Sequence, residues 1–446
     1  MAYSAEGKKK NFPVFDCDSH IYEPPEVWDE YIPQAERQFA KTHFYRDADR
    51  LVSVRNGTVT FGNPNTFNYA AEMWHPGLTK HEMGAVRPGT EEWDEKIGRK
   101  ACARDPHARI IDMNAAGIDQ VMIFPSTFVY SPLIENAEAA DICCRAYNNW
   151  VYDYCTASPK RLFPCAVLPI QDVNYAIREL RRVAKLGFKA ALVRPIIAND
   201  KYPTFPEFDP LWKEFEELGI VLSMHTFPAR GEALSRGLAN QMAGRGKMFG
   251  DEDVLVYTPG QFVANIGAIM GSNQAISSAY SFMAEAMAWT GVVLMTGWLE
   301  KFPNLKAAVL ESNATWLPLV LEKAETYLDL YKYTQEGEGA LKIGDPTEVF
   351  YRQCHIAFET DEIPVFRMWD LFENIGLWSS DMPHLDGSEG WEAIANMTKA
   401  GVPQSVQEKM LCTNAAKLYG IEPELFVTEA PKEYQPIKMP RFATAR

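Results

Sequence analysis

Phe15-Asp16-Cys17-Asp18-Ser19-His20 follows the apolar run Phe12 to Phe15 and ends on a carboxylate and an imidazole two residues apart. Side chains on a strand alternate between faces, so Asp18 and His20 are expected on one face and Cys17 on the other, packed in the core. A carboxylate and an imidazole side by side at a strand end make a wall for a divalent metal. One supplies charge and the other a borderline-soft nitrogen. A lone Asp-x-His triplet is common in sequences of every kind, and its weight depends on whether further ligands stand at later strand ends.

Short β-rich runs alternate with helix-period segments through most of the chain, the pattern of parallel βα units. Strands are expected at Val14 to His20, Gln120 to Pro125, Leu162 to Ile170, Lys189 to Pro195, Ile220 to Thr226, Leu305 to Ser312, Cys354 to Glu359 and Leu377 to Asp381. Between them, a helix opens on the capping Asp172 and stops at Gly187, and another runs from Asp209 to Gly219. Eight strands with intervening helices predict an α/β fold, a (β/α)8 TIM barrel. A doubly wound sheet is the competing topology, but no glycine-rich phosphate turn follows the first strand.

Residues 21–119 and 227–304 are too long for simple connections and are expected as insertions after strands 1 and 5, over the catalytic face. The first carries Asn56-Gly57 between alternating runs, which predicts a tight hairpin and part of a lid. The second carries Met242, Met248, Met270, Met283 and Met287, a set suited to packing against the barrel or another subunit, or to lining a pocket. The plan is one barrel over residues 1–422 and an extended C-terminal arm over 423–446, of the kind that wraps a neighbouring subunit.

The 446-residue chain is 47% hydrophobic and carries a net charge of -15, so it can bury a large core but offers no basic face for nucleic acid or an anionic membrane. No apolar region of signal-peptide length follows Lys8-Lys9-Lys10, and the most apolar stretch, Ala264 to Leu299, is broken by polar residues, so a cytoplasmic protein without membrane spans is expected. The eight cysteines lack paired C-x-x-C spacing and read as reduced, buried thiols.

In a barrel every strand's C-terminal end faces one mouth, so ligands should appear as the last polar residues of apolar runs. His20 closes the first strand, His225 the fifth and Asp381 the eighth. Singly, each has a packing or capping explanation. Together, Asp18, His20, His225 and Asp381 match the nitrogen and oxygen set of a hydrolytic metal site with a position left for water.

The chain resembles the amidohydrolase superfamily, in the branch typified by aminocarboxymuconate-semialdehyde decarboxylase. The resemblance rests on Asp16-x-Asp18-Ser19-His20-x-x-Glu23-Pro24, Asp105-Pro106-x-x-Arg109, Met113-x-x-x-Gly117-Ile118-Asp119, Asp209-Pro210-Leu211-Trp212 and Met224-His225. It continues through Phe302-Pro303-Asn304-Leu305, Trp378-Ser379-Ser380-Asp381-x-Pro383-His384 and Asn414-Ala415-Ala416-x-Leu418-Tyr419-Gly420. It implies a metal held by Asp18, His20, His225 and Asp381. Decarboxylases of the branch usually carry a histidine at the end of the sixth strand, where this chain has Glu311, a group able to act as base, to bind a second metal or to orient a ligand.

Arg194, ending the fourth strand, is a candidate carboxylate anchor, with an internal ion pair as the plainer reading. His384 is expected to shuttle protons or orient Asp381. His75 and His81, in the first insertion, are candidates for substrate contact or for ligands. The leading expectation is a metal-dependent enzyme, with zinc the foremost metal, acting on a small carboxylate-bearing molecule by hydrolysis or non-oxidative decarboxylation. Asp381, Glu311 and His384 would be its catalytic residues. The alternative is a dinuclear oxygenase using iron or manganese on the same barrel. A second alternative is a non-catalytic subunit beside a homologous enzyme, and a homo-oligomer or such a complex is expected.

Overall fold

The computed structural model describes residues 7–24, 26–48, 52–55, 58–61, 72–87, 90–196, 201–226, 275, 277–332 and 343–439. Ten strands are defined among them. β1 (Phe15–Ile21) is followed by the hairpin pair β2 (Val52–Arg55) and β3 (Thr58–Phe61), then β4 (Gln120–Pro125), β5 (Leu162–Val167), β6 (Ala190–Val193) and β7 (Val221–His225). β8 (Ala307–Leu310), β9 (Cys354–Phe358) and β10 (Gly376–Trp378) complete the set. Each of the eight strands expected from the sequence is present; Gln120–Pro125 has the expected bounds, and the others differ at one or both ends by one to three residues.

The eight long-range strands pair in parallel in the order β1-β4-β5-β6-β7-β8-β9-β10, with helices between them, which is the (β/α)8 barrel. Beyond the ladder itself, the seam between first and last strands is closed by loop backbone. His20 N donates to Met382 O at 2.7 Å and Asp381 N to Asp18 O at 3.1 Å. Phe15, Cys17, Met122, Phe124, Cys165, Leu192, Ala308, Leu310 and Leu377 pack together inside the barrel, while Val14, Ile21, Val121, Ile123, Leu222 and Met224 pack outward against the helices.

β1 does not alternate simply. Its register against β4 slips between Asp16 and Ser19, so three steps on β1 match two on its partner, a β-bulge. Cys17 therefore stays on the barrel interior beside the ligand face, which corrects the expected opposite orientation, although it is a core residue as its type suggested.

Local signals set the helices. Asp172 caps the helix Val173–Leu186 by accepting from Asn174 N and Tyr175 N, and Gly187 ends it at φ 94°. Gly117 ends the helix Pro106–Ala116 at φ 76°, and a β-carbon there would lie 2.5 Å from the Trp391 ring. Two residues on, buried Asp119 pairs with Lys10 and accepts from Val14 N at 2.7 Å, Phe426 N at 2.6 Å and Val427 N at 2.7 Å. One carboxylate thus ties the entry to β1, the entry to β4 and the C-terminal tail.

β2 and β3 pair antiparallel with Arg55 opposite Thr58, as a two-residue hairpin requires; Asn56 and Gly57 themselves lie outside the described residues. So do Met242, Met248 and Met270. Met283 and Met287, on the helix Phe282–Met295, pack against the core. The tail through residue 439 lies against its own barrel, with Ala430 N on Lys8 O at 2.9 Å, Ala101 N on Ile437 O at 2.8 Å and Met439 N on Arg99 O at 2.9 Å. Residues 440–446 of the expected arm are outside the described set. No helix among the described residues is long and apolar enough to cross a membrane.

Candidate metal centre

The residues named at the strand ends converge. Asp18, His20, His225 and Glu311 each bring one ligand atom to within 4.8 Å of the others, and His20, Asp381 and His384 form a second such group sharing His20. His20 Nε2 lies 3.5 Å from Asp18 Oδ1, 3.3 Å from Asp381 Oδ1 and 3.9 Å from Glu311 Oε2. His225 Nε2 lies 3.5 Å from Asp18 Oδ1 and 2.8 Å from Glu311 Oε2. The bulge in β1 brings Asp18 and His20 to the interior together.

The imidazoles are oriented from behind. His20 Nδ1 donates to Pro125 O at 3.0 Å and His225 Nδ1 to Thr226 O at 2.7 Å, so in the neutral rings both Nε2 lone pairs face the cluster. Two lone pairs 3.3 Å apart repel unless a positive charge lies beside them. The carboxylates make the same demand. Both oxygens of Asp18 are buried without a hydrogen-bond partner, while Oε2 of Glu311 and Oδ1 of Asp381 are buried against imidazole nitrogens, His225 Nε2 at 2.8 Å and His384 Nδ1 at 2.7 Å. Burial pushes the Glu311 carboxyl up to about 7, against the pull of His225. Burial, with Asp386 and Glu311 nearby, holds Asp381 well above the carboxylate range. Burial alone would lower His225, yet the Asp18 and Glu311 carboxylates lift it to about 10, so a proton there takes up part of what a cation would neutralise. Three carboxylates, two aligned imidazoles and the orphaned Asp18 oxygens fit a divalent cation.

The chain geometry at these positions is itself unusual. Glu311, Asn313 and Asp381 adopt φ values of 47°, 56° and 52°, a left-handed region that costs a non-glycine residue about 1–3 kcal/mol. Two of the three are members of the cluster, and the turn aims their carboxylates into the mouth just past β8 and β10.

His384 lies at the edge of the centre. Its Nδ1 is 2.7 Å from Asp381 Oδ1, its Nε2 is 2.9 Å from Ser126 Oγ, and its ring stacks on His20 with centroids 4.0 Å apart. Ser126 was missed by the sequence reading, although it is the polar residue directly after the apolar strand β4, the same signal that marked His225. Asp16, quoted there only as part of a motif, accepts from Ser380 N at 2.9 Å, Ser380 Oγ and Asp18 N at 3.2 Å, and so joins the two ligand-bearing strands. Buried Arg109 forks across the same seam, from Nη1 to Ser19 Oγ at 2.8 Å and Met382 O at 3.2 Å, and from Nη2 to His20 O. Arg194 lies at the end of β6, fully buried, with Nη1 on Val129 O at 3.2 Å.

His75 and His81 do not join the centre. The backbone N–H groups of Met73 and Trp74 both donate to Pro383 O at 3.0 Å, and past that anchor the His75 ring turns to Tyr434, with Nδ1 2.7 Å from Pro76 O. His81 is exposed on the short helix Lys80–Gly84.

The family model described as Amidohydrolase matches residues 103–421. The chain belongs to the amidohydrolase family. Among curated relatives of this amidohydrolase, gamma-resorcylate decarboxylase of Rhodococcus jostii is 30% identical over 156 residues, which is 33% of this chain and 46% of the relative. The chain spans about half the length of the curated relatives it matches. An amidohydrolase of Mycobacterium avium subsp. paratuberculosis superposes with a TM-score of 0.63 at 17% identity, covering 92% of this chain and 100% of that one. 5-Carboxyvanillate decarboxylase of Novosphingobium aromaticivorans, complexed with manganese and a nitrobenzoic acid, gives 0.57 at 15% identity over 94% and 99% of the two chains. These structural likenesses carry the fold.

Proposed function

We propose that this amidohydrolase is a metal-dependent carboxy-lyase that removes the carboxylate from a small aromatic acid without oxidation. The observation that carries the reading is the convergence of Asp18, His20, His225 and Glu311 at the barrel mouth, with Asp381 joined to them through His20. The relatives named as decarboxylases of aromatic acids support the reaction class. A divalent cation is implied, and an oxygen-rich set of three carboxylates suits manganese or iron as well as the zinc expected from sequence.

When bound, the cation supplies a Lewis acid that draws electron density from a substrate oxygen. The chain's own groups do the rest. Arg194 holds the substrate carboxylate end of the pocket. His384, between Ser126 Oγ and Asp381 Oδ1, is placed to pass a proton to Asp381 and on to the ring carbon that loses CO2. The ring-to-carboxylate bond breaks, CO2 departs, and the electron pair left on carbon takes that proton. Glu311, 2.8 Å from His225 Nε2, fixes the second imidazole and balances the cation's charge.

The grouping of His20, Asp381 and His384 favours a second reading, in which a second cation binds and dioxygen is used. The test is to count metals in protein purified without chelator, then incubate it with gamma-resorcylate and 5-carboxyvanillate under argon and under air. CO2 release at equal rates in both atmospheres, lost on chelation and restored by metal, is expected. A hydroxylated product that requires dioxygen would overturn the carboxy-lyase.

A further inference from the structure

Glu311 leaves β8 in a turn that the chain adopts only under constraint. Glu311 and Asn313 have φ values of 47° and 56°, and side-chain-bearing residues persist there only where surrounding contacts fix them. Those contacts come from two sides. Thr226 Oγ1 donates to the Glu311 carbonyl, and the Thr226 carbonyl in turn accepts from His225 Nδ1. On the other side stands Glu362, a buried carboxylate in the segment after β9, directly before the short helix Ile363–Arg367.

Glu362 collects hydrogen bonds from both strands. Its Oε1 accepts from Asn313 Nδ2 at 3.1 Å and Glu359 N at 3.0 Å, and its Oε2 from Thr315 N at 3.1 Å and Thr315 Oγ1 at 2.9 Å. Ala314 N reaches both oxygens, at 3.2 and 2.9 Å. Bonds to an ionised acceptor are the strong ones. A cap for the helix Leu317–Leu330, whose own N-cap Trp316 makes no side-chain bond, is the plainer role. Capping requires only the backbone N–H groups at the helix start. It leaves unexplained the bonds from the Asn313 side chain, on a left-handed residue, and from Glu359 N beyond β9. Those two pin the turn itself.

We propose that Glu362 is a positioning residue of the metal centre, holding the turn 311–315 so that the Glu311 carboxylate stays aimed into the cluster, with Oε2 2.8 Å from His225 Nε2. The inference rests on the metal-enzyme reading given above and extends it to a residue outside the cluster that acts through Glu311. Asp18 carries like charge within 4.8 Å, and the Glu311 side chain, 16% exposed, has a way out toward solvent. Thr226 at one end of the turn and Glu362 at the other oppose that escape. Cation binding then needs no rearrangement of this ligand.

Calorimetric titration of full-length, metal-stripped protein with manganese tests this on wild type, Glu362→Gln, Glu311→Gln and the double variant. Glu362→Gln turns an amide NH2 toward N–H donors and is expected to weaken manganese binding about tenfold. In the Glu311→Gln background the same change is expected to weaken it less than about twofold, because the residue through which it acts is already altered. Losses that multiply in the double variant would overturn the proposal and leave Glu362 a helix cap, as would unchanged affinity in the single variant. Should Glu362→Gln fail to fold, Thr315→Val, which removes one donor, takes its place in the same cycle and in the crystal, with a loss of about threefold expected. A crystal structure of the metal-free single variant is expected to show Glu311 Oε2 beyond hydrogen-bond reach of His225 Nε2, and an unmoved Glu311 would equally overturn the proposal. Wild type that takes up no manganese would sink the metal-enzyme reading, and the position of Glu311 in that crystal then decides the positioning role by itself.

Discussion

The Nε2 atoms of His20 and His225 face each other across 3.3 Å, while each ring's Nδ1 is turned away to a backbone carbonyl. Neither ring can relieve the contact by donating through Nε2 while it remains neutral with Nδ1 carrying the proton. Removing one ring should therefore abolish cation binding. His225→Ala is expected to lower metal affinity by more than the roughly 10–100-fold typical of losing an outer partner. Metal per chain after dialysis, read by mass spectrometry, checks this, and full occupancy in the variant would contradict the assignment.

Asp16 touches no cluster atom directly, yet it binds Ser380 through two hydrogen bonds and Asp18 N through a third. Asp16→Asn keeps the shape and loses acceptor capacity. Metal affinity is expected to fall roughly 10–100-fold with the fold intact. Circular dichroism and a metal titration on the same preparation separate the two effects; unchanged affinity would show that the seam is held without Asp16.

Gly117 combines a φ of 76° with a β-carbon position 2.5 Å from the Trp391 ring. Gly117→Ala adds left-handed strain and an overpacked contact, together about 2–4 kcal/mol of lost stability. Denaturant unfolding measures it, and a loss below about 1 kcal/mol would mean that the ring moves aside freely.

Lys100 is buried with Nζ on Ile97 O, and burial, aided by Lys438, holds its pKa down to about 7 from 10.5. Between those values the unfolded chain binds a proton that the folded chain does not. Stability should therefore rise with pH from about 7 toward 10.5, with the penalty fully present below 7, at a slope of up to about 1.4 kcal/mol per pH unit. Lys100→Met should flatten this rise. Unfolding curves at several pH values within that window test it, and parallel profiles for the two proteins would refute it.

Much of this was written into local patterns. Short apolar runs between capped helices marked the barrel strands, because strands buried on both faces read as nearly continuous apolar runs and helix signals such as the Asp172 cap and the Gly187 stop act within a few residues. The rule that ligands close strands found His20, His225 and Asp381, while Glu311 came through the family resemblance; applied with equal care, the rule reaches Ser126. The loop histidines were the weak point. His75 is turned from the centre by backbone bonds from Met73 and Trp74 to Pro383, more than three hundred residues away in sequence. Arg109, fully buried across the seam, likewise had no local sign of which carbonyls it would hold.

The sequence by itself determined the barrel, the order of its strands and which strand ends carry chemistry, since each follows from hydrophobic periodicity and residue type over short spans. Tertiary structure alone decided how those ends are aimed. The bulge that turns Asp18 and His20 inward together, the left-handed turns at Glu311 and Asp381, and the approach of Glu285 to Arg194 arise from contacts between distant segments. Such contacts depend on the closure of the whole barrel, where one residue of register decides which face a side chain meets.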